Sequence, residues 1–191
     1  MKQIFIIEHL EPEIFEWCLI EYKHISRTVG KNNLWFTNIK TDKNKDILEP
    51  YGQVFLQSVK DLKLDNVCVL DPTVQRTLDI FEARLFNYFI FGGILGDYPP
   101  KQRTRAELTS IIPDAQVRNI GTEQMSTDNA VLVVSEIVKG RKFEELQFQD
   151  TIEIEINEVE SVQLPYRYRV IDMKPFVSAE LVDYLKKKKS F

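Results

Sequence analysis

Residues 88–97 read Tyr-Phe-Ile-Phe-Gly-Gly-Ile-Leu-Gly-Asp, an apolar run that passes directly into a glycine-rich loop. Such a short run of β-branched and aromatic residues is typical of a strand buried on both faces of a parallel sheet. Ligands of open α/β sheets bind beyond the carboxyl ends of the strands, and clustered glycines let a ligand approach the backbone. The spacing matches neither the dinucleotide fingerprint nor the phosphate loop. The stretch is therefore either a ligand-binding loop or a plain turn-rich loop.

Other short apolar runs along the chain also predict strands, and helical spacing of apolar residues predicts the helices between them. The predicted strands lie at residues 4–7, 34–36, 66–70, 88–91 and 117–120. The predicted helices lie at 12–29, 51–62, 104–107 and 127–139, the third of them introduced by a capping-box pattern from Thr104 to Glu107. Residues 38–50 are polar and predict a loop. Strands that alternate with helices indicate an α/β fold with a mostly parallel sheet and helices on both faces.

The character of the chain changes after Gly140. Ile152, Ile154 and Ile156 alternate with glutamates, which predicts a strand with one solvated face, and residues 166–171 are a candidate partner strand. A helix is predicted over 179–189. We therefore divide the chain into a core of residues 1–140 and a short C-terminal β extension of residues 141–191 packed on that core, forming one domain overall.

The composition is that of an ordinary globular protein. The 191 residues include 43% hydrophobic and 28% charged side chains, with a formal net charge of -4. No apolar run reaches the roughly 18 residues that span a bilayer, so we expect a soluble, cytoplasmic protein with no membrane partner. Cys18 and Cys68 are expected to be reduced core thiols. No His, Cys, Asp or Glu cluster has ligand spacing, so no metal is predicted.

A second loop, residues 119–128, also follows a predicted strand and enters a helix. Its Ser, Thr and Asp residues have an ordinary explanation as helix caps when the loop is taken alone. Together with Ile7-Glu8-His9, Gly92-Gly93-Ile94-Leu95-Gly96-Asp97 and residues 164–168 (Leu-Pro-Tyr-Arg-Tyr), however, Gln124-Met125-Ser126-Thr127-Asp128 resembles the SPOUT-class methyltransferases. The similarity is to the branch that includes the fungal protein-arginine methyltransferase acting on a small-subunit ribosomal protein, and it covers most of the chain.

This resemblance implies a C-terminal trefoil knot and S-adenosylmethionine as the cofactor. It assigns the first cofactor loop to Gly92, Gly93, Gly96 and Asp97. It assigns the second cofactor loop to Gly121, Gln124, Met125, Thr127 and Asp128. Tyr98 stands where His is expected in the fungal relative, so the resemblance does not support a proton shuttle at this position.

Methyl transfer to arginine brings two cations together, the sulfonium and the guanidinium. At about 4 Å and an effective dielectric near 20, their repulsion is roughly 4 kcal/mol, which a nearby carboxylate would offset. Asp97, directly after the glycine loop, is the first candidate for this catalytic role. Glu8, at the end of the first strand, is the second, although a strand-end Glu is also commonly structural.

Acidic and basic residues are distributed unevenly along the chain, and their positions bear on which substrate the protein binds. Residues 144–160 carry seven acids and no Lys or Arg, which indicates either a solvated face or a docking surface for a basic protein substrate such as a small-subunit ribosomal protein. Basic clusters at residues 101–105 and 139–142 leave RNA possible as the substrate. A cofactor-binding, ribosome-associated factor without turnover is the third alternative. Because the extension buries apolar faces on the core, we expect a monomer.

Overall fold

Six parallel strands form the central sheet of the protein. The structure, a computed structural model, describes residues 3–96, 99 and 101–188. The strands are β1 (Ile4–His9), β2 (Leu34–Thr37), β3 (Gln53–Val54), β4 (Val67–Leu70), β5 (Tyr88–Gly93) and β6 (Gln116–Arg118). Their order is β3-β2-β1-β5-β4-β6, and every neighbouring pair is parallel. The predicted α/β class and the mostly parallel sheet are confirmed.

Successive side chains of the central strands face opposite sides of the sheet and reach two separate apolar clusters. Ile7 and Phe89 pack with α1 (Glu16–Val29) and α5 (Thr127–Val138) on one face. Ile6 and Ile90 pack on the other face with Val59, in a short 3₁₀ turn, and with Leu108, at the end of α4 (Arg103–Glu107). Burial on both faces is why these strands are continuously apolar in sequence.

The region between β2 and β4 differs from its prediction. Residues 42–48, predicted as loop, form α2 (Asp42–Leu48), because Thr41 caps the helix by accepting from the Asn44 N–H at 3.2 Å and Leu48 is fully buried. Residues 51–62, predicted as a helix, contain β3 and a 3₁₀ turn. These residues are extended and not helical because they pair with β2: the Phe55 N–H donates to the Phe36 carbonyl at 2.8 Å.

The helix predicted at Thr104 is present as α4, but the capping box is wrong. The helix begins after Gln102 without a side-chain cap. Glu107 instead accepts two hydrogen bonds from Arg103, at 2.8 and 3.1 Å, so the pattern reports an i,i+4 ion pair. A further short helix, α3 (Ile80–Ala83), precedes β5.

A second, antiparallel sheet follows the core, as the alternating isoleucines predicted. It contains β7 (Phe148–Glu155), β8 (Ser161–Ile171) and β9 (Lys174–Pro175), and it is followed by α6 (Ala179–Lys187). Ile152, Leu164 and Leu181 bury their side chains against Ile20 of α1. The extension therefore packs on the α1 side of the core.

The chain leaving β6 lies against the segment that follows β4. The Asn119 N–H donates to the Arg76 carbonyl, and the Leu78 N–H donates to the Asn119 carbonyl, both at 2.9 Å. The trefoil knot stays a prediction. Cys18 and Cys68 are buried free thiols, as expected. Across the described residues, no helix is both long enough and apolar enough to cross a membrane.

Candidate active site

A cavity of about 590 Å³ opens at the carboxyl ends of β4, β5 and β6. Its volume is in the usual range for sites that enclose a small ligand. Leu70, Phe91 and Ile120, at or just beyond the three strand ends, form part of its apolar wall. Both predicted loops border it, so two segments separated by more than twenty residues in sequence meet at one site.

The glycines of the first loop have three different environments. Gly92 lines the cavity. Gly93 faces the interior, where an added Cβ would lie 2.4 Å from the Tyr22 hydroxyl and 2.9 Å from Ile7 Cγ2. Gly96 lines the cavity, and a Cβ there would lie 2.3 Å from Gln124 Nε2 and 2.5 Å from the Tyr166 ring. Gly92 and Gly96 thus both line the cavity, with the side-chain space at Gly96 already filled by Gln124 and Tyr166, whereas Gly93 lies away from the cavity and is required by packing.

The second loop contributes Gly121, Gln124, Met125 and Thr127 to the cavity wall. Gly121 has φ of +96°, a backbone conformation that favours glycine. The Gln124 carbonyl accepts from the Arg167 N–H at 2.8 Å, so β8 of the extension holds this loop in place. Four of the five residues predicted for this loop therefore line the cavity.

Asp128, the fifth, does not line the cavity. It is buried, accepts the Ser126 hydroxyl at 2.5 Å and the Asn129 N–H at 2.8 Å, and pairs with His24 of α1 at 2.7 Å. Its contacts secure the start of α5 to α1. Asp128 therefore stabilises the end of the second loop through its contacts with α1 and does not line the cavity.

Glu8 is not brought to the cavity. Its buried carboxylate accepts the Thr37 hydroxyl, the Ser58 hydroxyl at 2.6 Å and the Val59 N–H at 2.9 Å. These partners lie on the β2 and β3 side of β1, whereas the cavity lies beyond β4, β5 and β6. The contacts are those of a structural carboxylate that joins strand ends. Asp97 and Tyr98 fall outside the described residues.

The first loop is held by the carboxylate of Glu11, a residue to which the sequence analysis gave no role. Glu11 accepts the Leu95 N–H at 2.9 Å and Arg103 Nη1 at 2.8 Å. Arg103, in turn, lines the cavity. On the β4 side, Asp71 accepts the Thr73 N–H at 2.9 Å and the Thr109 hydroxyl at 2.6 Å, which orders the next part of the wall.

Trp17, Glu21 and Tyr166 also line the cavity, and sequence reasoning did not assign the first two any role. Trp17 Nε1 donates to Glu21 Oε1 at 2.7 Å, one helical turn along α1. Burial, and after it the charge of the neighbouring Asp128, together raise the pKa of Glu21 to about 8. The signal that could have found this pair is a Trp and a Glu at i,i+4 beside the apolar face of a helix.

The cavity residues suit a nucleoside-type cofactor. Ile94, Leu95 and Ala130 add apolar surface, Thr73 and Gln124 add hydrogen-bonding groups, and Gly92 and Gly96 expose backbone. Within the described residues, no group of three or more His, Cys, Asp or Glu side chains could hold a metal ion. Fold and site together define a class: a parallel α/β protein that binds its ligand between loops at the carboxyl edge of the sheet.

Comparison with known proteins narrows this class to a family. The model of the protein arginine N-methyltransferase SFM1-like family matches residues 4–190. The protein arginine N-methyltransferase SFM1 of Saccharomyces cerevisiae is 37% identical over 202 aligned residues, which cover 96% of this chain and 94% of that protein. The chain belongs to the SFM1-like family of protein arginine N-methyltransferases, and the resemblance drawn from the sequence is confirmed.

Solved structures of the yeast family member have the same fold as this chain. The yeast arginine methyltransferase SFM1 complexed with SAM superposes with a TM-score of 0.88 at 33% identity, covering 98% of this chain and 91% of that chain. The same enzyme complexed with SAH gives 0.87 at 34% identity, covering 96% and 94%. A Trm10 from Thermococcus kodakaraensis, at 14% identity and a TM-score of 0.53, covers 75% of this chain and 96% of that chain and shares the fold.

Proposed function

We propose that this protein is an S-adenosylmethionine-dependent methyltransferase that modifies an arginine side chain of a protein. Family membership supports this assignment. The observation that carries it is the convergence of Gly92, Gly96, Gly121, Gln124, Met125 and Thr127 on one cavity. The resemblance to the SPOUT-class methyltransferases assigned these residues to two cofactor loops. The two loops lie more than twenty residues apart in the sequence.

The residues of the cavity would hold the cofactor by shape and by backbone polarity. Gly92 and Gly96 bring backbone to the cavity wall, and Gln124 offers an amide beside Gly96. Gly93 and Asp128 would act indirectly, by fixing the first loop against Tyr22 and the second loop against His24. Bound S-adenosylmethionine supplies the methyl group as a sulfonium. The protein's task is to orient an arginine towards it, exclude water and offset the added positive charge.

Asp97 stays our proposed catalytic carboxylate for offsetting that charge, because it directly follows Gly96 of the cavity wall. We expect Asp97→Asn to lower turnover about tenfold or more while changing cofactor affinity less than threefold, since charge is removed and shape is kept. Methyl-transfer kinetics and calorimetry with S-adenosylhomocysteine measure the two effects separately. A variant with wild-type turnover would contradict the role.

A basic protein, specifically a small-subunit ribosomal protein, is the substrate that we propose. The hairpin of β7 and β8 exposes Glu153, Glu155, Glu158 and Glu160. Tyr166, in the cavity wall, lies five residues beyond the start of β8, roughly 17 Å along an extended strand. A basic peptide docked on the hairpin could thus reach the cavity within about five residues. Salt should weaken this docking.

RNA is less well supported as the substrate. Arg103, in the basic cluster at 101–105, is paired with both Glu11 and Glu107, and Arg141, in the cluster at 139–142, is paired with Glu136. These pairs reduce the positive charge available for phosphates. The cytoplasmic location stays a prediction.

Incubation with labelled S-adenosylmethionine and cell lysate tests the proposed function. Label should persist after nuclease treatment of the lysate and be lost after protease treatment, and it should be recovered as methylarginine. Nuclease-sensitive label would establish an RNA methyltransferase. Cofactor binding without incorporation would indicate a non-catalytic factor.

A further inference from the structure

One side of strand β8 is paired along part of its length. The side that faces β7 is paired over most of the strand. On the other side, β9 pairs with the end of the strand, at Val170 and Ile171, and the second cofactor loop pairs at Arg167. Within the described part of the chain, no strand pairs with this second side over residues 161–165.

The direction of the Arg167 N–H shows which backbone groups of β8 lie on this second side. It donates to the Gln124 carbonyl at 2.8 Å, away from β7. Backbone groups alternate in direction along a strand of an antiparallel pair. Those of Ser161, Gln163 and Pro165 therefore point to the same side as the Arg167 N–H.

The register of the hairpin of β7 and β8 gives the same orientation. The Ile156 N–H donates to the Glu160 carbonyl at 2.9 Å, so the next hydrogen-bonded pair along the hairpin is Ile154 with Val162. Gln163, one residue further, belongs to a pair whose backbone groups point outward. Two independent contacts thus agree on which groups are left for another chain.

The outward backbone of residues 161–165, here called the open edge, is accessible. The side chains of Ser161 and Gln163 are exposed. Pro165 carries no N–H, and proline on a strand edge is tolerated where its missing N–H would face outward. The open edge therefore offers N–H donors at Ser161 and Gln163, and carbonyl acceptors at all three positions.

The open edge leads directly to the cavity. Tyr166, the next residue of β8, lines the cavity, and the second cofactor loop lies on the same side of the strand at Arg167. A segment paired opposite Pro165 would lie roughly 3.3 Å along the strand from Tyr166. An added strand would thus reach the cavity within about two residues.

The side chains of an added strand would alternate between two unlike surfaces. On one face of β8, Leu164 is buried in the apolar cluster with α1 and α6, and Tyr166 lines the cavity. On the other face, Gln163 lies opposite Glu153 of β7, and both side chains are exposed. Every second side chain of the added strand would therefore be directed to the cavity side, and the others to the acidic face.

The charges around the open edge favour a basic segment of a protein. Residues 144–160 contain no Lys or Arg, and four exposed acids of the hairpin lie close to the open edge: Glu153, Glu155, Glu158 and Glu160. Such a surface attracts Lys and Arg and repels the phosphates of a nucleic acid. The segment must also be extended, because the backbone groups of a helix are already paired within the helix.

The outer edge of β7 is a poorer place for the same strand. The pairing register shifts between Asp150 and Ile152, and Thr151 has φ of +59°, so a β-bulge interrupts that edge. Asp150 is held by Arg167 through hydrogen bonds of 2.6 and 2.9 Å. None of the described residues of β7 lines the cavity.

We propose that the open edge of β8 docks the protein substrate by strand addition: an extended, basic segment next to the target arginine pairs with the backbone of residues 161–165. This inference rests on the proposed function, since it names how the same substrate reaches the cavity. It requires that the modified arginine lie in a loop or a chain terminus of the substrate.

Backbone N-methylation of a peptide tests the pairing without turnover. The probe is the octapeptide acetyl-Arg-Val-Lys-Thr-Arg-Val-Lys-Thr-amide, with the protein saturated with S-adenosylhomocysteine at low salt. Two modified peptides carry N-methyl groups at the charged positions or at the Val and Thr positions, so charge and side chains are unchanged. One of them should bind at least tenfold more weakly in calorimetry, and the other should stay within threefold of the parent peptide. Equal affinities of the two modified peptides would overturn strand addition.

Amide exchange measured by NMR locates the peptide. Addition of the unmodified octapeptide should slow hydrogen exchange at the Gln163 N–H at least fivefold. The Glu153 N–H is the internal control, because Glu153 is paired with Gln163 in register and lies on the other edge of the hairpin. Slower exchange at Glu153 and not at Gln163 would place the peptide on β7 and overturn the assignment.

Proline variants test the edge in the protein itself. Gln163→Pro removes the outward N–H and should weaken octapeptide binding at least tenfold, with S-adenosylhomocysteine affinity within threefold of wild type. Glu153→Pro is the control on the other edge, and it should weaken binding no more than Glu153→Gln, which loses the same charge. Wild-type peptide affinity in Gln163→Pro would contradict the proposal. If Gln163→Pro does not fold, the N-methylated peptides decide the question.

The experiments also separate this inference from the proposed function. Pairing of the octapeptide with the open edge, without methyl incorporation into any lysate protein, would keep the docking edge and reject the enzyme. Incorporation into protein arginine at the wild-type rate in Gln163→Pro would keep the enzyme and reject the docking edge. Incorporation into RNA alone, with no binding of the octapeptide, would reject both.

Discussion

Gly92 and Gly93 are adjacent in the chain but face opposite sides of the sheet, because side-chain directions alternate along a strand. Gly92 borders the cavity, and Gly93 makes room for Tyr22 of α1. Two adjacent glycines of one motif therefore differ in place: Gly92 lines the cavity, and Gly93 is required for packing. Glu8 and Glu21 show a similar contrast, since both are buried carboxyls and only Glu21 lines the cavity.

Substitutions at Gly96 and Gly93 should separate these roles. Gly96→Val places a side chain against Gln124 and Tyr166 at the cavity wall, so we expect S-adenosylhomocysteine affinity to fall about 100-fold while the protein stays folded. Gly93→Ala should instead lower the free energy of unfolding by about 1–3 kcal/mol through overpacking against Tyr22. Calorimetry and urea unfolding measure the two effects. Normal cofactor affinity in Gly96→Val would remove the first loop from the site.

The raised pKa of Glu21 predicts a pH dependence of stability. Its pKa is about 8 in the folded protein, against 4.5 ordinarily, because of burial and then the Asp128 charge. Between these values the folded state retains a proton that the unfolded state has released, so the Glu21 contribution to stability falls as pH rises from about 4.5 to 8. On α5, Thr127 and Asp128 lie near Glu21, and Asp128 is paired with His24 of α1. On β8, Tyr168 is the nearby titratable group, and Glu21 contributes to raising its pKa.

Urea unfolding at pH 5 and pH 8 of wild type and Glu21→Gln tests this dependence. The loss of stability between the two pH values should be smaller in the variant, which has no proton to release at that position. Identical losses would show that Glu21 ionises normally in the folded protein.

At the scale of elements, β8 is the feature that joins the extension to the core site. Its Arg167 N–H binds the second loop at Gln124, and its Tyr166 hydroxyl binds the first loop at Gly96. One strand therefore contacts both of the predicted cofactor loops.

Tyr166→Phe should test the contribution of β8 to cofactor binding. It keeps the ring and removes one hydrogen bond, so we expect S-adenosylhomocysteine affinity to fall about three- to tenfold, equivalent to about 0.6–1.4 kcal/mol. Tyr184→Phe, on α6 and outside the cavity, is the control and should leave affinity unchanged. An unchanged affinity in Tyr166→Phe calorimetry would show that the loops hold their spacing without β8.

For the whole molecule, the position of the extension bears on oligomeric state. Ile20 of α1 is buried with Ile152, Leu164, Tyr168, Leu181 and Leu185 of the extension. Since this apolar surface is already covered within one chain, we propose a monomer. Sedimentation equilibrium at micromolar concentration should give a mass near 22.4 kDa. Twice that mass would show that another surface mediates dimerisation.

Much of the fold was predictable from sequence where local pattern and burial coincide. The apolar runs of β1, β4 and β5, the helical spacing of α1 and α5 and the alternation in β7 all report burial that each segment would have in almost any α/β arrangement. Residues 42–62 were mispredicted because a small capped helix and a two-residue strand depend on contacts with β2 rather than on a repeating pattern.

The family, the parallel sheet and the two loops could be predicted from sequence, because strand periodicity and the glycine and Gln-Met-Ser-Thr-Asp motifs are local. That Gly93 and Glu8 lie away from the cavity, and that Trp17, Glu21 and Tyr166 line it, depends on tertiary packing. Local spacing specifies which face of an element is buried. Which distant element meets that face depends on how the sheet, α1 and the C-terminal extension pack together, and no single segment of sequence encodes it.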